Sequence, residues 1–395
     1  MSSKKNKVLF ISHDASRTGA PIVFLHLLRW LKANSNLEIN ILLLADGPLK
    51  QDFEAIGKTF LWDPDPTEPG LKKLLIRKIL KRDITVNPRY FVPFGLRNVK
   101  YDLIYANTVA SHHALPFLKQ FYKSKVISHV HENEYTIKTF YKHSMDMSFT
   151  NCIDHYIAVS KSTVESLVNF AIPIEKISLI YEFVSVEKVL SLKAVDGDII
   201  KDRHQIGNSF IVGGSGLTSW RKGVDLFIQT MLLINQKRPD NNIKFVWVGA
   251  QLTEFKLQFE YEATRLEKYH LDGKIIFIDS VPQPQDYFQL FDIFYLSSRE
   301  DPFPLVMLEN AALGKPVFCF ANSGGAEEFV SGGAGVLIRY GDVNLMADAI
   351  LSYSTRLQDL KSMGEKGKNK IEDYDVAAAA AKILKVINTQ IEVNA

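Results

Sequence analysis

The chain has 395 residues, 46% hydrophobic and 23% charged, with a net charge of +3. That length suits two domains of ordinary size with a soluble globular composition, and the near balance of charge argues against a nucleic-acid partner. Its two cysteines, Cys152 and Cys319, lie in apolar surroundings and read as packing residues of a reducing compartment; no His/Cys spacing suggests zinc.

The polar start Met1–Lys7 leads into the apolar run Val8–Ile11. That run is too short for a signal h-region, no cleavage site follows it, and no stretch reaches the ~18 apolar residues a membrane span needs. The expectation is a cytosolic protein. Val8–Ser12 reads as a first strand, His13–Pro21 as a loop, and Ile22–Ala33 as a helix with Phe24, Leu28 and Leu31 on one face. Gly19, opening that helix, would let a ligand approach the backbone closely; from this loop alone a plain turn glycine is the better reading. Ile39–Leu44 and Thr59–Trp62 read as strands, and the Pro-rich run at 63–70 as a break.

Residues 71–82 then interleave six cations with apolar residues at helical spacing. Such a helix can lie on an anionic membrane or dock on its own domain with a solvated basic face. No aromatics interleave for base stacking, which again argues against nucleic acid. Leu103–Ala106 is a strand ending at Asn107-Thr108, and Lys125–Val130 one ending at His131-Glu132. His131 falls at a strand's carboxyl end, where open α/β sheets bind ligands, although a lone histidine also suits a structural role. Tyr156–Lys161 and Ile177–Tyr181 complete a first set of strands.

Val186 to Asn208 is polar and weakly patterned, and reads as a linker. A second set follows: Phe210–Val212, Lys244–Val248, Lys274–Ile278, Ile293–Leu296, Val317–Phe320 and Gly335–Ile338, separated by helical segments. After the first of these comes Gly213-Gly214-Ser215-Gly216-Leu217-Thr218-Ser219-Trp220-Arg221-Lys222-Gly223. Glycines there admit a close phosphate and Arg221 and Lys222 supply charge; a solvated Arg-Lys pair before a helix is the alternative, weakened because glycines and cations share one loop. The stretch Ser298–Pro316 reads strand, loop, helix, strand. Pro304 suits a first helical turn and Gly314 a C-terminal cap. The free N–H groups of the first turn, near Phe303, Leu305 and Val306 (Pro304 has none), make an anion site. Asp301 and Glu309 flank seven residues and could accept hydrogen bonds from sugar hydroxyls, or serve as a helix cap and a solvated glutamate.

This stretch resembles the donor-site signature of the family-four glycosyltransferases: an acid, a Gly-Phe-Gly-like turn, a second acid after seven residues, then Ala-x-x-x-Gly-Lys-Pro-Val. Here it reads Asp301-Pro302-Phe303-Pro304-Leu305, Glu309-Asn310-Ala311 and Gly314-Lys315-Pro316-Val317. The first acid is Asp301 rather than Glu, Pro304 replaces a second glycine, and Glu300 next door leaves open which acid faces the sugar. Gly19-Ala20-Pro21 is similar to the family loop that lies against donor and acceptor. His131-Glu132 fits the place of the His-Asp pair near the transferred sugar. Lys222-Gly223 matches the diphosphate-binding lysine, while the family's arginine falls on Gly216, so Arg221 or a cation elsewhere must substitute. Asp279–Pro282 falls where the family contacts the base, Ser323–Glu328 matches its Gly-Gly-x-x-Glu turn, and Glu182-Phe183 stands where Asn-Gly is usual.

The resemblance implies a GT-B fold, with two doubly wound Rossmann-like domains facing across a cleft. They would span residues 1–190 and 207–374, with an alanine-rich helix over 375–395 crossing back to the first. It implies a retaining glycosyltransferase that moves a sugar from a nucleoside-diphosphate sugar to a hydroxyl of a glycan or lipid-linked acceptor, in bacterial surface polysaccharide synthesis. A donor phosphate oxygen would take the acceptor's proton. No metal or other cofactor is expected, because no Asp-x-Asp-like cluster is placed to hold one. The helix N-terminus with Arg221 and Lys222 would carry the leaving diphosphate's charge. Glu309 would hold the ribose, Asp301 or Glu300 would orient the sugar, and His131 would assist from the opposite domain. The expected location is the cytoplasm, with 71–82 as the candidate contact to the inner membrane face. A GT-B epimerase or phosphorylase, and a catalytically silent glycan-binding GT-B subunit, remain open on sequence alone.

Overall fold

Short apolar runs alternating with amphipathic helices can bury both faces only in parallel sheets covered by helices. The computed structural model describes residues 5–62, 92–144, 147–192, 195–250 and 272–393. The basic run 71–82 lies outside them. The chain divides into two units. The first draws on the chain up to Val159, on Thr163–Ile180 and on the chain from Ala380 onward; the second comprises Ser160–Ser162 and Tyr181–Ala379.

The first unit is a seven-stranded sheet, all of whose pairings are parallel. Its strands are β1 (Lys7–Ser12), β2 (Glu38–Leu43), β3 (Lys58–Leu61), β4 (Leu103–Asn107), β5 (Lys125–Val130), β6 (His155–Ala158) and β7 (Ile177–Leu179), in the order β3-β2-β1-β4-β5-β6-β7. The order reverses between β1 and β4, and the register sets Ser12 beside Asn107 and Asn107 beside His129 at the carboxyl edge. Helix α1 (Gly19–Asn34) turns Phe24, Leu27, Leu28 and Leu31 inward, and Phe24 stacks on Tyr105 with ring centroids 6.1 Å apart.

The second unit is a six-stranded parallel sheet: β8 (Phe210–Ser215), β9 (Ile243–Val248), β10 (Ile275–Ile278), β11 (Ile293–Leu296), β12 (Val317–Phe320) and β13 (Gly335–Ile338). The order is β10-β9-β8-β11-β12-β13, with its switch point between β8 and β11. Phe227, Phe245, Trp247, Tyr295, Phe318 and Phe320 form the centre of its core. Helix α2 (Val224–Lys237) follows β8 and helix α3 (Leu305–Ala312) follows β11. The two loops ahead of those helices therefore meet at the carboxyl edge, on either side of the switch point.

Two details differ from the sequence reading. Strand β8 runs on through Gly213 and Gly214 to Ser215. Those glycines do not form the loop; they make room for aromatics. A Cβ on Gly213 would lie 2.0 Å from the Phe291 ring, and one on Gly214 would lie 2.6 Å from Trp247. Gly216, at φ +140°, and Gly223, at φ +66°, remain in the turn. The segment Val186 to Asn208 contains two helices, Val186–Ser191 and Gly197–Arg203, and groups with the second unit. The last helix, α4 (Val376–Glu392), begins in the second unit and continues in the first from Ala380, where Ala380, Ile383, Ile387 and Ile391 are buried. Cys319 is a buried thiol in β12 and Cys152 is half-buried. No described helix is long and apolar enough to cross a membrane.

Candidate functional site

In the second unit the sequence places a lysine, two acids and a helix start at one sheet edge, and the fold fixes them against one another. Lys222 donates to Asp301 Oδ2 at 2.5 Å, and both side chains are largely buried. Ser298 Oγ donates to the same carboxylate oxygen at 3.4 Å. The Asp301 backbone is held by the glycine turn behind it: its N–H donates to Ser323 O at 2.7 Å, and it bridges Gly324. Gly324 sits at φ +133°, and a Cβ there would lie 1.7 Å from Asp301 O. Glycine is thus required for the close approach that sets the acid.

Helix α3 starts one turn further on. Pro304 is its N-cap, extended at ψ 119°, and its carbonyl accepts from Met307 and Leu308. The N–H groups of Leu305 and Val306 stay outside the helical ladder, no side chain caps them, and no acid occupies the first turn. This start therefore keeps its partial positive charge for an anion. Phe303 fixes its position: the ring stacks on Tyr374 at 5.4 Å and lies 5.4 Å from Tyr181, and Gly325 leaves room for it.

Glu309 projects from the second turn of α3. Burial pushes its carboxyl up to about 7 from an ordinary 4.5, with Lys188 nearby pulling it back. A desolvated carboxyl beside an anion-binding helix start is chemically suited to hydroxyl groups of a bound ligand. Arg221, by contrast, turns inward: its Nη1 donates to Glu300 O at 3.0 Å. It ties the two loops, with Arg299 N–H donating to Arg221 O at 2.8 Å. Glu300 is half-buried beside that contact.

Sequence reasoning missed Arg299 and Asp225. Their ion pair is bidentate, Nη1 to Oδ1 at 2.8 Å and Nη2 to Oδ2 at 2.6 Å, and Nη1 also donates to Trp220 O at 2.8 Å. Spacing along the chain carries no signal for a pair 74 residues apart, although an acid in the first turn of α2 was visible.

In the first unit, Gly19 is the exposed first residue of α1. His131 follows β5, and its Nε2 lies 2.9 Å from Asn107 Oδ1. The Asn107 amide nitrogen donates to Ala20 O at 3.4 Å, which leaves its oxygen for the ring, so Nε2 carries the proton. Glu132 accepts from the N–H groups of Val109 and His131. Thr108 holds φ +70°, a conformation rare for a β-branched residue, at the same edge. His13 is half-buried near Thr108, and burial lowers its pKa.

Among the described residues no group of three or more His, Cys, Asp or Glu could hold a metal ion. The structure brings Arg221, Lys222, Glu300, Asp301, Phe303, Pro304, Leu305, Val306 and Glu309 to one edge of the second unit. Gly19 and His131 lie at the carboxyl edge of the first, where Asn107 bonds His131 and Ala20, the residue after Gly19.

Two Rossmann-like α/β units, each with a ligand edge, define the GT-B class of proteins. The fold is that of the Anabaena HepE structure in complex with UDP and glucose, which superposes with a TM-score of 0.76 at 19% identity over 96% of this chain and 99% of that one. A sucrose-phosphate synthase from Thermosynechococcus elongatus gives 0.73 at 18% identity, over 98% and 100%. The family model "Glycosyltransferase Family 4" matches residues 17–188, and "Glycosyl transferases group 1" matches 209–356. The chain belongs to the family-four, group 1 glycosyltransferases. Among curated relatives, an alpha-galactosylglucosyldiacylglycerol synthase of Streptococcus pneumoniae is 28% identical over 58% of this chain. The lipopolysaccharide core mannosyltransferase LpsB of Rhizobium meliloti is 32% identical over 36% of it. The matches span 59% and 40% of those relatives' own lengths.

Proposed function

We propose that the chain is a retaining glycosyltransferase using a nucleoside-diphosphate sugar as donor and a hydroxyl of a glycan or lipid-linked molecule as acceptor, in bacterial surface glycan synthesis. The observation that carries this reading is the placement of Lys222, Asp301, the uncapped start of α3 and Glu309 at one sheet edge. Departure of a diphosphate builds negative charge, and a fixed ammonium and helix start stabilise that charge without reorganising. On this reading the diphosphate takes over Lys222 from Asp301, Glu309 receives the ribose hydroxyls, and Asp301 or Glu300 orients the sugar. His131, in the first unit, serves the transferred sugar, and Gly19 lets the donor approach the backbone there. The work of named relatives on a glycolipid, a lipopolysaccharide core and a capsule supports the acceptor class. Solved neighbours in complex with UDP and UDP-glucose support the donor class. The reaction requires no metal and takes place on the cytoplasmic side, with 71–82 touching an anionic membrane face. Vesicle flotation checks that contact, which would be wrong if anionic and neutral vesicles bound alike.

The test is turnover of a panel of nucleotide sugars with glycan and glycolipid acceptors, with and without chelator. The expected result is acceptor-dependent release of a nucleoside diphosphate, undiminished by chelator, with the anomeric configuration kept in the product. Lys222→Ala and Glu309→Ala should each cost at least ~2 kcal/mol of transition-state stabilisation. Full activity in both variants would end this mechanism, and turnover without acceptor would point to an epimerase.

A further inference from the structure

Lys222 and Asp301 come from loops 79 residues apart, so something must set their relative position. Three contacts leave them as two loops touching: Arg299 N–H to Arg221 O, Ser297 Oγ to Lys222 O at 3.1 Å, and the Arg221 guanidinium to Glu300 O at 3.0 Å. The Arg299 side chain does more. It leaves the acid-bearing loop, straddles the lysine-bearing loop, and reaches the first turn of α2 two residues past Gly223. Its guanidinium makes both fork contacts to Asp225, a third bond to Trp220 O, and lies over the Trp220 ring at 5.0 Å from the centroid. Both partners are mostly shielded, with 16% and 19% of their side-chain surface exposed. A planar fork fixes angle as well as distance, which a lysine in its place could not do.

We propose that Arg299 and Asp225 are positioning residues: a brace that sets the Lys222 ammonium against the start of α3 at the spacing a diphosphate needs. This rests on the donor-binding reading above. Gly223, between lysine and acid, is at φ +66°, and a Cβ on it would lie 2.0 Å from Ser297 O. The lysine loop is therefore pressed onto the end of β11 at Gly223, and the brace closes the far side of the same turn. Held from both sides, Lys222 has little freedom to follow a misplaced loop. Loosening the brace lets the ammonium drift while its charge remains, so the loss falls on ligand affinity.

The experiment is titration calorimetry of the full chain with UDP, GDP and ADP, on wild type, Arg299→Lys and Asp225→Asn. Arg299→Lys keeps the charge and removes the fork; Asp225→Asn keeps the shape and removes the charge. The expected result is that wild type binds at least one diphosphate, and that each variant binds it roughly tenfold more weakly at unchanged stoichiometry. A merely structural role would lower the number of competent sites and leave their affinity alone. An affinity within twofold of wild type in either folded variant, whatever the stoichiometry, overturns the brace. If wild type binds none of the three nucleotides nor their sugars, the donor-binding reading itself fails.

Discussion

Glu309 has a carboxyl whose surroundings raise its pKa to about 7. In the unfolded chain the group would titrate near 4.5, so between those values the folded state binds more protons. Stability from this group is therefore greatest at low pH and is lost as pH rises through that window. Glu309→Gln should remove the loss, leaving the second unit more stable than wild type at pH 8 and no more stable at pH 4. Urea denaturation at both values checks it, and an equal slope in the two proteins would mean that the carboxyl is ordinarily solvated. His112 and His129 act in the opposite sense in the first unit. Burial holds His112 down at about 3 and His129 well below its usual value, so stability they contribute as neutral rings is lost as pH falls below 6.5. The Glu309 effect is thus best read by comparing variant with wild type at each pH.

At the scale of elements, the glycines around the site divide into two kinds. Gly213, in β8, gives room to Phe291; Gly213→Ala should cost about 1–3 kcal/mol by overpacking and leave nucleotide affinity nearly intact. Gly324 gives room to the backbone of Asp301; Gly324→Ala should cost more and also weaken diphosphate binding, because Asp301 and with it Lys222 must shift. Denaturant titration and calorimetry separate the two, and equal effects on binding would show that the Ser323–Gly325 turn does not set the site. The same contrast explains what was legible in the sequence. The strand cores were visible because a buried parallel strand is an apolar run bounded by turn residues, as in Ile293–Leu296 and Val317–Phe320. The extension of β8 through two glycines was not, because their purpose is the volume of Phe291 and Trp247, residues distant in sequence. The acids and the lysine could be picked out by motif, whereas the inward turn of Arg221 and the Arg299–Asp225 pair depend on how two loops meet.

For the molecule as a whole, the chain makes one unit, then a second, and returns to the first from Ala380. The returning stretch buries Ala380, Ile383, Ile387 and Ile391, each isoleucine worth roughly 1.5–3 kcal/mol when fully removed from water. Deleting 380–395 should therefore lower the melting temperature of the first unit specifically, seen by calorimetry as a separate earlier transition. A single unshifted transition would show that this helix does not support it. Every role assigned to the second unit's site turns on a diphosphate held by Lys222 at the start of α3. Thermal-shift measurement against nucleoside diphosphates and their sugars, on wild type and Lys222→Ala, tests it most directly, since a bound ligand raises the melting temperature by mass action. A concentration-dependent rise with at least one nucleotide is expected in wild type, and its loss in Lys222→Ala. No rise with any of them, or the same rise in both proteins, would contradict it.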